Sequence, residues 1–483
     1  MALPTNDADW VTYLSIRHDM ELPELEELNR YYEGMQPLMY MHPEVLLEVG
    51  DRIKPVVIGW PQLVVDAVEE RLDVEGFRLP DEDDEDKDLW RVWQSNDMDE
   101  QSQLAHVDAL VMKRSYVTIG SNEDDPDTPI LCAESPMEMY ADIDPRTRKT
   151  RAALRRVIDD DSFARVAERA ATLYLPDVTI WYGWNDGGWK EEQRDEHKLG
   201  ALPVVSLINR GRLSSSRTTP NRVNTNFRYR YGRSELSQII PLSDAANKIA
   251  TDMMLAIDFA ALPVHGFFGI GPDDLEDAQG NKLTAMQALF RRFLTLPVGA
   301  DEGAKEFSFA GANMGGFHES INQLAQMVAS LAGLPPHYLG FTTDNPASAD
   351  AIRSAESRLV KRAERKQRPW GGAYEQMNRI VRRFQTGEWD PTLKLLETRW
   401  RDPSTPTVAQ KADAAVKLYT TSPKPIVNLR QTRETIGFTD AQIRRMEKDD
   451  AETAAQDAAL DPLGVIARNM PPQQPEVPVA NGA

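Results

Sequence analysis

The chain has 483 residues, of which 41% are hydrophobic and 27% charged, with a formal net charge of -21 and one cysteine. That composition supports roughly two to four folded domains, and it argues against a chain whose main work is gripping phosphates, which would lean basic. The lone Cys132 leaves no intrachain disulfide framework and suits a reducing compartment.

Met1 to Asp7 has neither a basic start nor an apolar run, so no signal peptide is expected there. Helix is expected at Pro23–Tyr32, where Leu22, Leu25 and Leu28 fall three apart, and again at Leu63–Leu72. The acidic run Asp81 to Asp86 follows, then an apolar face carrying Leu89, Trp90 and Trp93. Gln101–Lys113 places Leu104, Val107 and Leu110 or Val111 on one side of a further helix.

From Tyr116 to about Asn209 the pattern is β-rich. Tyr116–Ile119 reads as a strand, and Met137, Met139, Ala141 and Ile143 alternate with polar residues. Val178–Tyr182 leads through Asn185-Asp186-Gly187-Gly188 to Trp189, a hairpin signal. Pro203–Ile208 closes this part, and Arg210–Asn226 reads as a loop.

Helix returns at Ser234. Ala246, Ile249, Met253, Ile257 and Ala260 form one apolar stripe, with Asp244, Asn247, Thr251 and Asp258 as a polar stripe beside it. Pro241 marks an early kink or the true start. The apolar run Met253–Ile270 is broken by Asp258, Pro263 and His265, which argues against a membrane span.

A mixed insert is expected from Pro263 to Gly316, with a strand at Val264–Ile270, a turn at Gly280-Asn281, a helix over Thr284–Leu294 and a strand near Phe307–Phe309. Helix resumes near His318 and stops at Gly333-Leu334-Pro335-Pro336. A long basic helix over Ser348–Thr386 carries Arg353, Arg358, Lys361, Arg362, Arg365, Lys366, Arg368, Arg379, Arg382 and Arg383, with a bend expected at Pro369 and Gly371-Gly372.

A strand is expected at Leu393–Trp400. Asn428 with Gln431, and Thr439 with Gln442, have capping-box spacing, and Gly437 suits a helix end. After Asp461 the composition predicts disorder. The elements add up to an α+β chain.

Three stretches carry a resemblance. They are Gly232-Arg233-Ser234-Glu235-Leu236 with Ile239 to Lys248 and the exit Ala261-Leu262-Pro263; Gly333 to Gly340; and Asn345-Pro346-Ala347-Ser348-Ala349-Asp350-Ala351-Ile352-Arg353. In order and spacing they resemble the portal (head–tail connector) proteins of tailed double-stranded DNA bacteriophages, in the siphophage-type branch, and the order of elements matches over nearly the whole chain. The family's Gly at the entry to the long helix is Ala349 here, which bears on the flexibility of the preceding loop.

The resemblance implies a portal fold: a β-rich wing (1–233, with the long helix and strand 348–400), a helical stem (234–262 and 317–335), a small mixed α/β clip (263–316), a tunnel loop (336–347), a helical crown (401–460) and a disordered tail (461–483). It implies a ring of twelve subunits at one capsid vertex, through which the genome is packaged and ejected. The implied partners are double-stranded DNA, the terminase large subunit, head-completion or adaptor proteins, and the major capsid and scaffolding proteins, with no membrane. The protein would be assembled in the host cytoplasm and carried in the virion. The tunnel-loop candidates are Phe341, Thr342, Thr343, Asp344 and Asn345.

Duplex DNA carries about one charge per 1.7 Å, so a wall that bound it tightly would stall it. The stripe Asp244, Asn247, Thr251, Asp258 faces either such a channel and the neighbouring subunit or ordinary solvent. The basic helix has three readings: pairing with acidic neighbours in the ring, solvation, or contact with packaged DNA. Arg291 and Arg292 in the insert fit subunit pairing better than DNA contact. The acidic run 81–86 lacks calcium-loop spacing and reads as a solvated loop. The histidines lack metal spacing.

No Walker A loop, dinucleotide fingerprint or nucleophile elbow occurs, so no catalytic residue, cofactor or metal is expected, and any motor is another protein. Two alternatives remain: a metal-dependent nucleic-acid enzyme using Asp159-Asp160-Asp161, whose consecutive side chains diverge, and another capsid or connector component.

Overall fold

The computed structural model describes residues 3–37, 56–80, 85–159, 168–185, 187–212, 215–216, 227–228, 231–261, 265–268, 282, 293–296, 314–340, 349–404, 408–421 and 426–460. They fall into two compact units, Met1–Ser404 and Thr405–Ala483.

The first unit opens with α1 (Asp7–Asp19), where Asn6 caps the helix by accepting from the Asp9 amide at 2.8 Å. Next come α2 (Leu22–Tyr32), α3 (Trp60–Glu69) and β1 (Val74–Arg78). Asp86, the last of the acidic run, caps α4 (Lys87–Ser95) by accepting from the Asp88 and Leu89 amides, and α5 (Met98–Val111) follows. Glu85 pairs with Arg399 at 3.3 Å, and Asp86 with Arg382 at 3.1 Å. This end of the run is therefore docked on the protein, contrary to a wholly solvated loop.

The β-rich part contains β2 (Arg114–Gly120), β3 (Ile130–Glu134), β4 (Met139–Ile143), β5 (Thr150–Asp159), β6 (Glu168–Tyr174), β7 (Thr179–Asn185), β8 (Gly188–Asp195) and β9 (Val204–Ile208). Strands β4 to β8 form an antiparallel meander in chain order, and β3-β2-β9 form a second sheet. The β7–β8 turn pairs Asn185 with Gly188, as expected, and sets Trp184 edge-on to Trp189 at 5.0 Å. β8 lies at the edge of the meander and carries exposed Lys190, Glu191, Glu192 and Arg194. Val11 and Leu14 of α1 join Tyr140, Leu154, Leu173 and Ile180 in the meander's core. Two-residue strands β10 (Ser215–Ser216) and β11 (Phe227–Arg228) pair with each other.

A 3-10 turn (Glu235–Gln238) leads into α6 (Ile240–Ala261), so Pro241 sits in the first helical turn, where its missing N–H costs nothing. β12 (His265–Phe268) and β13 (Phe293–Leu296) pair in parallel. Phe293 and Leu294, expected to end a helix, are thus strand residues paired with His265 and Gly266. The turn at 280–281 and strand near 307–309 lie outside the described residues.

α7 (Met314–Ala332) packs beside α6 and ends at Gly333, whose φ is +68°. A 3-10 turn (Pro336–Leu339) follows, closed by Gly340 at φ +81°. α8 (Ala349–Thr386) is one helix of 38 residues, roughly 57 Å long at 1.5 Å per residue. It continues as helix through Pro369 and Gly371-Gly372.

Close packing accounts for that continuity. The Trp370 indole is buried and donates to the Ile208 carbonyl at 3.2 Å, and the Thr398 hydroxyl donates to the Gly371 carbonyl at 3.0 Å. A Cβ at Gly371 would lie 3.1 Å from the Trp400 indole nitrogen, so glycine lets the helix come close to that strand. Leu393 and Leu395, expected in a strand, lie in a 3-10 turn (Thr392–Leu395), and only β14 (Glu397–Trp400) pairs, with β1.

The central core is aromatic. His106 stacks on Trp370 at 4.8 Å, and Trp93 meets Tyr374 edge-on at 5.2 Å. It joins α3, α5, β2, β9 and α8 into one body.

The second unit contains α9 (Val408–Tyr419), α10 (Leu429–Ile436) and α11 (Asp440–Leu460). Both expected capping boxes are present: Asn428 with Gln431, and Thr439 with Gln442. Gly437, at φ +102°, ends α10. Arg430 pairs with Asp440 at 2.7 Å and Glu447 at 3.1 Å, tying α10 to α11.

Candidate functional site

The entry to α6 is built on the first of the three stretches. Gly232 has φ +91°, and a Cβ there would lie 2.3 Å from the Lys113 carbonyl oxygen and 2.8 Å from that of Asn209. Only glycine fits both the conformation and the space. Next to it the Arg233 amide donates to the Asn209 carbonyl at 2.8 Å, and the Asn209 side-chain amide returns a 2.8 Å bond to the Arg233 carbonyl. The Ser234 hydroxyl then caps the 3-10 turn by accepting from the Leu236 amide at 3.0 Å. The Gly-x-Ser spacing therefore reflects a close backbone approach followed by a cap.

Glu235 follows, buried to 2% exposure. Its carboxylate pairs with Lys366 and Arg362 of α8 and with Arg210 at 3.3 Å. Burial pushes its pKa upward, but the Lys366, Arg362 and Arg210 charges outweigh that and hold it at about 2. Lys366 also donates to the Asn209 side-chain oxygen. One buried cluster thus fixes the start of α6 to the middle of α8.

The polar stripe of α6 is used inside the chain. The Tyr31 hydroxyl donates to the Asp244 carboxylate at 2.9 and 3.0 Å. Asn247 is buried and accepts the Ile58 amide at 2.8 Å. Thr251 is buried, accepts the Val56 amide at 3.2 Å and donates to the Asn247 carbonyl at 2.8 Å. Asn247 and Thr251 form a ladder holding Val56 and Ile58 along the helix, while Asp244 is partly exposed. The side chain of Asp258 lies outside the described residues. The exposed side of this helix carries Met254 and Ile257, and α7 exposes Met327 and Leu331.

The basic helix α8 is likewise engaged within its own chain. Besides Lys366 and Arg362, Arg382 reaches Asp88 at 2.8 Å, Arg379 donates to the Leu393 carbonyl at 2.9 Å, and Arg358 donates to the Ser330 carbonyl at 2.8 Å. Phe341, Thr342, Thr343, Asp344 and Asn345 lie outside the described residues, as do Arg291 and Arg292. Of Asp159-Asp160-Asp161 only Asp159 is described, paired with Glu168 at the end of β5. Among the described residues no group of three His, Cys, Asp or Glu side chains could hold a metal ion, and no helix is long and apolar enough to cross a membrane.

A second charged cluster escapes periodicity altogether. Arg114, on β2, is buried among the rings of Tyr116, Tyr140 and Tyr231, its guanidinium carbon 5.8, 5.5 and 5.3 Å from their centroids. Its nitrogens donate to the Glu21 carboxylate at 3.0 and 2.5 Å, and Lys113 reaches the same carboxylate at 3.1 Å. Burial works against ionisation of Glu21, but Arg114 and then Lys113 prevail and hold its pKa at about 2. The α1–α2 junction is pinned to both sheets in this way.

Residues 12–456 match the family described as "Phage portal protein, SPP1 Gp6-like". The chain belongs to the phage portal protein family. The portal protein of Mycobacterium phage D29 is 38% identical over 411 residues, covering 83% of this chain and 80% of that protein. The portal protein of Mycobacterium phage L5 has the same identity and coverage. A solved chain from the neck of an empty GTA particle aligns over 86% of this chain and 93% of its own, at 13% identity and a TM-score of 0.43, a likeness too loose to carry weight.

Proposed function

We propose that copies of this chain close into a ring at one vertex of a phage head, forming the channel through which double-stranded DNA is packaged and later ejected. The observation that carries this reading is the match to the portal family over residues 12–456. Paired helices α6 and α7 would form the stem. The meander and α8 would form the wing, residues 263–316 the clip and α9 to α11 the crown. The segment 341–345 would line the bore. The family precedent is twelve subunits.

The net charge of -21 supports a passive role, because an acidic wall lets a polyanion slide where a basic one would hold it. The chain acts here as a conduit and docking platform. The terminase large subunit supplies the motor, head-completion or adaptor proteins dock after filling, and the major capsid and scaffolding proteins surround the ring. Assembly in the host cytoplasm, with the product retained in the virion, follows from this role.

Class averages of the purified full chain in the electron microscope test the reading. A symmetric ring with an axial hole wide enough for duplex DNA is expected, and a particle without an axial opening overturns it. Removing Phe341–Asn345 should leave heads that assemble but do not fill. Normal filling by that variant counts against the assignment of the segment.

A further inference from the structure

The outer side of α8 carries three cations. Lys361, Arg365 and Arg368 fall four and three residues apart, so they form one stripe along the helix. At about 100° per residue, the buried Leu359, Ala363, Lys366 and Trp370 lie on the opposite side. The Lys361 side chain is 61% exposed and pairs with Glu364 on the same helix. Arg365 and Arg368 are exposed, and among the described residues no carboxylate pairs with either.

α3 packs against the inner side of α8, where Arg71, two residues past α3, reaches the buried Glu356 at 3.6 Å. Asp66, Glu69 and Glu70 form an acidic edge on the side of α3 turned away from the buried Val64, Val65 and Val68. The Tyr32 hydroxyl donates to Asp66 at 3.0 Å, which brings the exposed Glu33 to the same edge. Among the described residues no lysine or arginine pairs with Glu33, Asp66, Glu69 or Glu70. Burial, and then the Asp73, Asp66 and Glu70 charges, push the Glu69 carboxyl up to about 7, as expected of an edge with excess negative charge. The body of α8, about 10 Å across, stands between the acidic edge and the basic stripe, so the two do not meet within one copy.

We propose that the outer side of α8 is a docking surface for a second copy of this chain, with Lys361, Arg365 and Arg368 of one copy meeting Glu33, Asp66, Glu69 and Glu70 of the next. Charge complementarity carries the assignment. Each copy supplies both faces, and an acidic protein edge is what a basic stripe on a chain of net charge -21 fits. The same net charge repels a phosphate backbone at long range, so duplex DNA is the poorer occupant. A contact between two different patches is heterologous, and repeated copies either close into a ring or run on as an open chain. Closure into a ring rests on the portal reading. The pairing rests on the two charged faces.

The test uses the full-length chain and two charge-reversed variants, Arg365→Glu with Arg368→Glu, and Glu33→Lys with Glu70→Lys, all at exposed positions. Sedimentation velocity across a concentration series reads assembly. Each variant alone sets like charges against each other at the contact and should assemble roughly tenfold more weakly than the parent, or worse. An equal mixture of the two should assemble again, because every contact then joins opposite charges. That rescue also separates a lost contact from a lost fold. Variants that assemble as the parent does, or a mixture no better than either alone, overturn the docking surface. Stripe variants that assemble normally but bind a short DNA duplex more weakly in a mobility shift overturn it in favour of phosphate contact. Open chains in parent and mixture, with no closed ring, uphold the docking surface and overturn the portal reading. Closed rings in both variants do the reverse, and a parent that stays monomeric overturns both.

Discussion

Glu235 and Lys366 stand 131 residues apart and meet as a buried ion pair where the start of α6 crosses the middle of α8. Removing one partner strands the other charge in the interior. Lys366→Met should therefore cost about 3–5 kcal/mol, measured by denaturant unfolding. The double variant Glu235→Leu with Lys366→Met should recover a large part of that loss, because well-packed apolar groups replace ions at little net cost. A double variant no better than Lys366→Met would show that the pair is not what the single substitution disrupts.

The same carboxylate makes stability depend on acid. Glu235 and Glu21 are both held at about 2, against an ordinary 4.5. A group held below its unfolded pKa contributes above that unfolded value and loses its contribution as pH falls through the folded one. Each should therefore contribute roughly 3 kcal/mol above pH 4.5 that fades toward pH 2. The difference in unfolding free energy between parent and Glu235→Gln, followed from pH 6 to pH 2, should shrink steadily. A constant difference would refute the assignment.

His106 should act in a higher window. It is fully buried against Trp370, with the Tyr374 hydroxyl 2.9 Å from its Nε2, and burial pushes its pKa down to about 3. The folded protein resists binding the proton that the unfolded chain takes up near 6.5, so stability is lost as pH falls from about 6.5 toward 3. His106→Phe should remove up to about 1.4 kcal/mol per pH unit of that slope. Thermal melts between pH 7 and pH 4 give the comparison, and equal slopes in the two proteins would exclude this histidine as the source.

Gly232→Ala tests the geometry at the entry to α6. The positive φ alone costs about 1–2 kcal/mol for an alanine. The 2.3 Å approach to the Lys113 carbonyl adds a clash that only backbone movement can relieve. Loss of about 2 kcal/mol or more is expected on denaturant unfolding. A neutral substitution would mean that the backbone is not held where it is described.

The ladder on α6 is testable amide by amide. Thr251→Val and Asn247→Leu should each cost about 1–3 kcal/mol by leaving the Val56 or Ile58 amide without its acceptor. Hydrogen exchange should rise at that amide first. Protection unchanged at both would show that residues 56–58 are held by other means.

The sequence foretold most elements where one physical pattern ruled. The Asn185–Gly188 hairpin, the Gly333 stop and both capping boxes follow from local chemistry, and each lies where expected. It misled where tertiary contact overruled local preference. Leu393 and Leu395 turn in 3-10 geometry before the strand begins. The α6 polar stripe was visible as a stripe, but nothing local revealed that residues 56–58 would lie along it. The charged hubs Arg114 and Glu235 were the least legible. A buried charge has no periodic signature, and Arg114's partner Glu21 and Glu235's partners Arg362 and Lys366 stand 93 residues or more away.

The charged border of the meander bears on how copies of the chain meet. A free strand of alternating apolar residues would invite another molecule's strand to join it by backbone bonding, and such joining repeats without end. Gly188–Asp195 instead lines that border with lysine, glutamate and arginine. That edge is thereby blunted against the strand-by-strand joining that builds open fibres.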